Sequence, residues 1–253
     1  MTVFEQDGYR VRLEWGGEGV AALAPHCAVL VVVDVLVFTT TVDVVVGRGA
    51  RVLPFAVDDE AAKAAAEARG AIMAGLGLYT SPTGSVATKE KWSLRPSSLT
   101  GVPAGTLLGL SSPNGGTLCA RAAAAGATVL AGCLRNASAV AAKALELAGD
   151  RPIGIIAGGE RWRISPQRPL RPSLEDYLGA GAIAHGLRHG RSGEAELAAT
   201  AFAAVAHRVP ELLADCVSGR ELTEAGLSAD VELAGAVDSS TVAPVLVDGI
   251  FGA

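Results

Sequence analysis

The stretch VLVVVDVLVFTTTVDVVV, residues 29–46, decides how this chain folds. It opens as an unbroken valine-rich run, the pattern of a strand buried on both faces of a parallel sheet. Asp34 interrupts the run, and an ionised carboxylate buried without partners is costly. Thr39, Thr40 and Thr41 follow where the chain turns into a helix. A carboxylate at the carboxyl end of a central strand, facing a hydroxyl-rich helix start, can serve a cation and a phosphate together. The same residues also suit plain capping, Asp34 for the turn and the threonines for the helix.

Working outward, VRLEW at residues 11–15 alternates apolar and polar side chains, as an edge strand does. Downstream, residues 40–48 form a helix ended by Gly49, residues 50–57 a strand, and DDEAAKAAAEARG a helix capped by Asp58. Further strands are predicted at 71–74, 106–110, 127–133 and 152–157. Between and after them lie helices rich in alanine, one following Asn136, one opening at Ser173 and another over 194–208. Strands alternating with helices of this length imply an α/β protein: three α/β/α layers around a mostly parallel or mixed sheet, in a single domain over 1–253. Residues 75–105 fit no period; a loop this long is expected to fold over the site.

The unit over 31–54 is echoed over 106–131: strand, hydroxyl-rich turn, helix, Gly-Ala, strand. Both turns fall at strand carboxyl ends, where such sheets bind ligands. Half of the 253 residues are hydrophobic and only 4% aromatic, which suits close α/β layering. A net charge of −5 without any long basic run argues against a nucleic-acid binder. No uninterrupted apolar segment reaches the length of a membrane span. Cys27, Cys119, Cys133 and Cys216 are widely spaced with no CxxC pair, so reduced thiols in a cytoplasmic protein are expected. The sequence leaves both a monomer and a homo-oligomer open.

Four groups carry candidate chemistry. The first is Asp34 with Thr39–Thr41. The second is SSPNGG at residues 111–116, where Ser112, Asn114, Gly115 and Gly116 bring a permissive backbone and free amides to an anion. The third is GGER at 158–161, which places the carboxylate of Glu160 and the forked donor of Arg161 in one turn. The fourth is SLED at 173–176. Read as structure it is a capping box; read as chemistry, Glu175 and Asp176 can hold a hard cation such as Mg²⁺. No P-loop, dinucleotide fingerprint or GxSxG elbow is present. His185 and His189 lack the glutamate of a zinc helix and suit a solvent-facing helix end.

These segments, VVVDVLVFTTT (31–41), SPNGG (112–116), NASAV (136–140), IAGGE (156–160), SLEDYLGAG (173–181) and SGRELTEAGLSADVELAGAVDSSTVAP (218–244), together resemble the 2-phosphosulfolactate phosphatase family of coenzyme M biosynthesis. GERW and LRPSLEDYLGAGAI look like its actinobacterial branch. The resemblance implies a three-layer fold and Mg²⁺-dependent hydrolysis of a small acidic phosphomonoester. By position it makes Asp34, Glu175 and Asp176 metal or acid/base candidates, and Ser112, Asn114, Gly115 and Asn136 phosphate or substrate contacts. The chain departs from the family pattern at Val37, where arginine is usual, and at Ile156, where cysteine is usual; Arg161 is the expected substitute cation. A phosphatase for another phosphorylated hydroxy acid or sugar phosphate, and a non-catalytic binder of such a metabolite, are the alternatives.

Overall fold

The structure, a computed structural model, describes residues 3–56, 60–75, 92–162, 164 and 167–253. In chain order its elements are β1 (Val11–Trp15), α1 (Gly16–Leu23), β2 (Val29–Val33), α2 (Phe38–Gly47), β3 (Arg51–Phe55), α3 (Glu60–Ala68), β4 (Ile72–Met73), β5 (Leu107–Ser111), α4 (Gly115–Ala124), β6 (Thr128–Gly132), α5 (Ala137–Ala148) and β7 (Ile153–Ala157). They continue with β8 (Glu160–Arg161), β9 (Leu170–Arg171), α6 (Leu174–Gly186), α7 (Gly193–Val205), α8 (Val209–Asp215), α9 (Val217–Glu224), α10 (Ser228–Ala234), β10 (Val245–Val247) and β11 (Ile250–Gly252).

The main sheet runs β1-β7-β2-β6-β10-β11-β3-β5-β4. β1, β7, β2 and β6 are mutually parallel, as are β3, β5 and β4. The β10–β11 hairpin joins the two groups with antiparallel pairing on both of its sides. The sheet is therefore mixed, and β1 is an edge strand as its alternation predicts. One layer holds α5, α6 and α7, the other α1, α2 and α4. β2 sits between β6 and β7 with all five residues buried, which is what its continuous apolar run requires.

The carboxyl ends of β2 and β5 meet although the hairpin sets their groups in opposite senses, Asp34 after β2 accepting the Gly115 amide after β5. α2 fills the hollow, packing on β6, β3 and β11, and is buried from Phe38 to Val46. It begins at Phe38, two residues before the predicted start, because Thr39 and Thr41 bond back to the turn and complete an earlier first turn of helix.

Asp43 is the one acid inside α2. Its carboxylate accepts from Arg135 Nε at 2.8 Å and from Ser240 Oγ at 2.6 Å, tying α2 to the turn after β6 and to the segment before β10. Burial raises its pKa; the two donors oppose that rise. Ser240→Ala should therefore cost about 1.5 kcal/mol of stability, read as a lower denaturation midpoint.

The β10–β11 hairpin lies outside what the sequence reading anticipated, although its signal is present. Asp248-Gly249 links VLV to IFG with φ of 51° and 76°, the paired positive values of a tight hairpin turn. α1 likewise lacks a helix signal, since three of its first four residues are glycines. Within 75–105, residue 75 and residues 92–105 are described. Arg95 Nε and the Ser97 N–H donate to buried Asp230 at 3.2 and 2.8 Å, docking this part on α10 and α2. Residues 76–91, and Asp58 as a helix cap, lie outside the described residues. The helical run Gly193–Asp215 is long and apolar enough to cross a bilayer by length and composition alone. In this fold α7 lies along α6 with Ala195, Ala198, Ala199 and Phe202 buried. All four cysteines are free and buried, as expected.

Candidate active site

The carboxyl ends of β2, β7 and β5 and the start of α6 converge on Asp34, Glu175 and Asp176, all buried. Asp34 follows β2 directly. Its Oδ2 accepts the Gly115 N–H at 2.7 Å and its Oδ1 the Phe38 N–H at 3.4 Å, so the starts of α4 and α2 both point donors at one carboxylate. Gly115 must be glycine for this approach: a Cβ there would lie 2.8 Å from Asp34 Oδ2 and 2.8 Å from Phe38 Cγ. The two helix starts predicted to face one crevice both donate a backbone amide to Asp34.

Asp176 reaches in from the other side. Its Oδ1 accepts the Val35 N–H at 2.8 Å; its Oδ2 accepts the Gly159 N–H at 2.7 Å and Ser173 Oγ–H at 2.9 Å. Gly158 lies between the two aspartates, its position for a Cβ being 3.5 Å from Asp34 Cβ and 3.4 Å from Asp176 Oδ2. Glu175, next in line, receives the Cys216 thiol at 3.4 Å on Oε2. Trp15, at the end of β1, stacks on Tyr177 with centroids 6.1 Å apart, closing the β1 side.

Two of these acids, Asp34 and Asp176, resist ionisation, first because they are buried and then because acids stand beside them. Burial lifts the Asp34 pKa to about 6, the Gly115 and Phe38 amides pull it down, and Glu175 pushes it up. Asp176 is raised well above the usual carboxylate range by burial, then by Asp34 and Glu175. In metal-free protein the folded state thus holds a proton on Asp34 that the unfolded chain has released. Its contribution to stability is full below pH about 4 and lost as pH rises through about 6. Melting temperatures of metal-free wild type and Asp34→Asn across that window should diverge by several degrees, wild type falling relative to the variant.

A family model for 2-phosphosulpholactate phosphatase matches residues 20–249. The chain belongs to that family. It is a phosphatase, a hydrolase of phosphoric monoesters. No curated protein matches it significantly.

The phosphatase places its sequence-predicted residues unevenly. Asp34, Gly115, Glu175 and Asp176 come together, with Gly116 following in α4 and Ser112 buried beneath it. Asn114 sits half-buried at the N-cap of α4 and makes no side-chain bond to that helix start. The threonine hydroxyls are turned inward: Thr39, Thr40 and Thr41 donate to the carbonyls of Asp34, Val35 and Val37 at 2.7, 2.7 and 2.9 Å. They build the turn that aims Asp34, which corrects their reading as phosphate contacts. Asn136 is corrected likewise. It is fully buried, accepting the Cys133 N–H at 2.9 Å and donating to the Ala131 carbonyl at 3.3 Å, so it closes the turn after β6.

Arg161 is exposed on the β8–β9 ribbon and Glu160 half-buried beside it. SLED is no ordinary capping box either. Ser173 Oγ makes no cap bond and instead donates to Asp176, whose carboxylate is spent on the turns after β2 and β7. Cys216, which approaches Glu175 from 41 residues away, carried no local signal.

Among the described residues no three His, Cys, Asp or Glu side chains form a group able to hold a metal. Mg²⁺ needs only one or two carboxylates, completed by waters and phosphate oxygens. Asp176 has three donors on its two oxygens and so has the least acceptor capacity left for an ion. Asp34 and Glu175 retain open lone pairs, and a cation beside them would offset the burial, and the lesser repulsion from Glu175, that raise the Asp34 pKa. The residues fit such an ion at those two acids.

Proposed function

We propose that this phosphatase is Mg²⁺-dependent and hydrolyses a small acidic phosphomonoester of the 2-phosphosulpholactate kind. One observation carries the reading: buried Asp34 accepts the first amide of α4 and has the buried acid Glu175 as a charged neighbour, so two acids and a helix start adjoin. Asp34 and Glu175 would hold Mg²⁺, which, when bound, supplies positive charge to a phosphate oxygen. The Gly116 and Thr117 amides, at the positive end of α4, favour the phosphoryl oxygens. Asp34 would act on phosphorus itself or help position an attacking water, and Asp176 accepts the Val35 amide in the turn that follows it. The burial that raises these pKa values also excludes bulk water from the reaction.

A panel of phosphomonoesters with and without a second acidic group, assayed with Mg²⁺ and with chelator, tests this. Phosphate release should require Mg²⁺ and be fastest for substrates with the second acid. Equal release in chelator would remove the ion from the reading, and a preference for neutral sugar phosphates would replace the substrate class.

A further inference from the structure

A phosphatase for an acidic substrate needs a second cation, away from the phosphate, to meet the substrate's other charge. Position 37 cannot supply it, because valine stands there and is buried at the start of α2. Arg161 is exposed on its ribbon. The neighbouring strand of that ribbon carries a better-placed guanidinium. β9 is seated against the strand ends: Leu170 Cδ1 comes within 3.2 Å of where a Cβ on Gly16 would stand, and the Arg171 carbonyl within 3.0 Å of the same position on Gly159. Gly159 is the residue whose amide holds Asp176.

From there Arg171, half-buried, donates through Nη2 to Ser218 Oγ at 3.0 Å. Ser218 lies two residues beyond Cys216, whose thiol meets Glu175, so the guanidinium and the site acid are held by the same turn of chain. Among the described residues Arg171 makes no ion pair, and one hydrogen bond leaves most of its donor fork open. A half-buried guanidinium that forms no ion pair among the described residues, beside a site that takes anions, is arranged for a carboxylate or sulfonate from outside the chain.

We propose that Arg171, steadied by Ser218, grips the substrate's non-phosphate acid and sets the preference for phosphomonoesters that carry one. This rests on the phosphatase reading above. The test compares 2-phospholactate with ethyl phosphate, which lacks the carboxylate, on wild type, Arg171→Ala, Arg171→Lys and Ser218→Ala. Arg171→Ala should raise KM for 2-phospholactate about 10- to 100-fold and leave ethyl phosphate kinetics within about threefold. Arg171→Lys should recover part of that loss, and Ser218→Ala should fall between wild type and Arg171→Ala.

Calorimetric binding of sulfoacetate, an acid without phosphate, should weaken at least about tenfold in Arg171→Ala. An equal loss for both esters, or no loss of sulfoacetate binding, overturns the assignment. If wild type hydrolyses neither ester, the substrate reading falls, and the calorimetry still decides Arg171 by itself.

Discussion

Asp34→Asn should lower phosphate release on the order of 1,000-fold or more, since it removes the one acid that faces both helix starts. The substitution keeps the shape and the acceptor for the Gly115 amide, so the fold should survive. Because ionising Asp34 is unfavourable in the metal-free chain, the variant should melt no lower than wild type above pH 7. Activity and stability would then move in opposite directions, the signature of a group retained for chemistry. Near-normal turnover by Asp34→Asn would take Asp34 out of the reaction.

Asp176→Ala should behave in the opposite way. Its carboxylate holds the Val35 amide, the Gly159 amide and the Ser173 hydroxyl, three buried donors from three elements. Truncation strands all of them, each at roughly 1–3 kcal/mol, partly offset by losing a reluctantly buried acid. A net loss of about 4 kcal/mol corresponds to roughly 8–16 °C in Tm for a chain of this size. Thermal denaturation reads this directly. A variant that melts like wild type but has lost turnover would show Asp176 working in the reaction rather than holding the site together.

The contrast between these two acids marks the limit of what the sequence discloses. The valine run of β2, the turn at Asp34, and the alternation of strands and helices each follow from periodicity and burial cost, and the layered architecture follows from them. The convergence of residues 34 and 175–176 was legible because both lie where α/β sheets place ligands. Which acid ties three donors together and which receives a single thiol was not. Asp176 and Glu175 differ only in the partners that reach them from Val35, Gly159 and Cys216, all distant along the chain except Gly159.

The threonines show the same limit. A hydroxyl next to a turn can face outward to a ligand or inward to a carbonyl, and only the helix starting at Phe38 makes the inward bonds available. The hairpin is a different kind of omission. Its strands are three residues each, too short for a periodicity argument, and only the Asp-Gly turn announces it.

That hairpin has a consequence for how the protein comes into being. Residues 245–252 are inserted between β6 and β3, both synthesised well before them. While a ribosome is still extending the chain, each of those strands presents an open edge with unpaired amides and carbonyls, able to recruit the wrong neighbour. The nascent molecule must wait with its sheet in two halves until the joining piece emerges from the exit tunnel. Cells making this phosphatase would therefore be expected to lean on chaperones during that interval. Ribosome-stalled chains ending just before residue 245 should be far more protease-sensitive than chains in which residues 245–252 have cleared the tunnel.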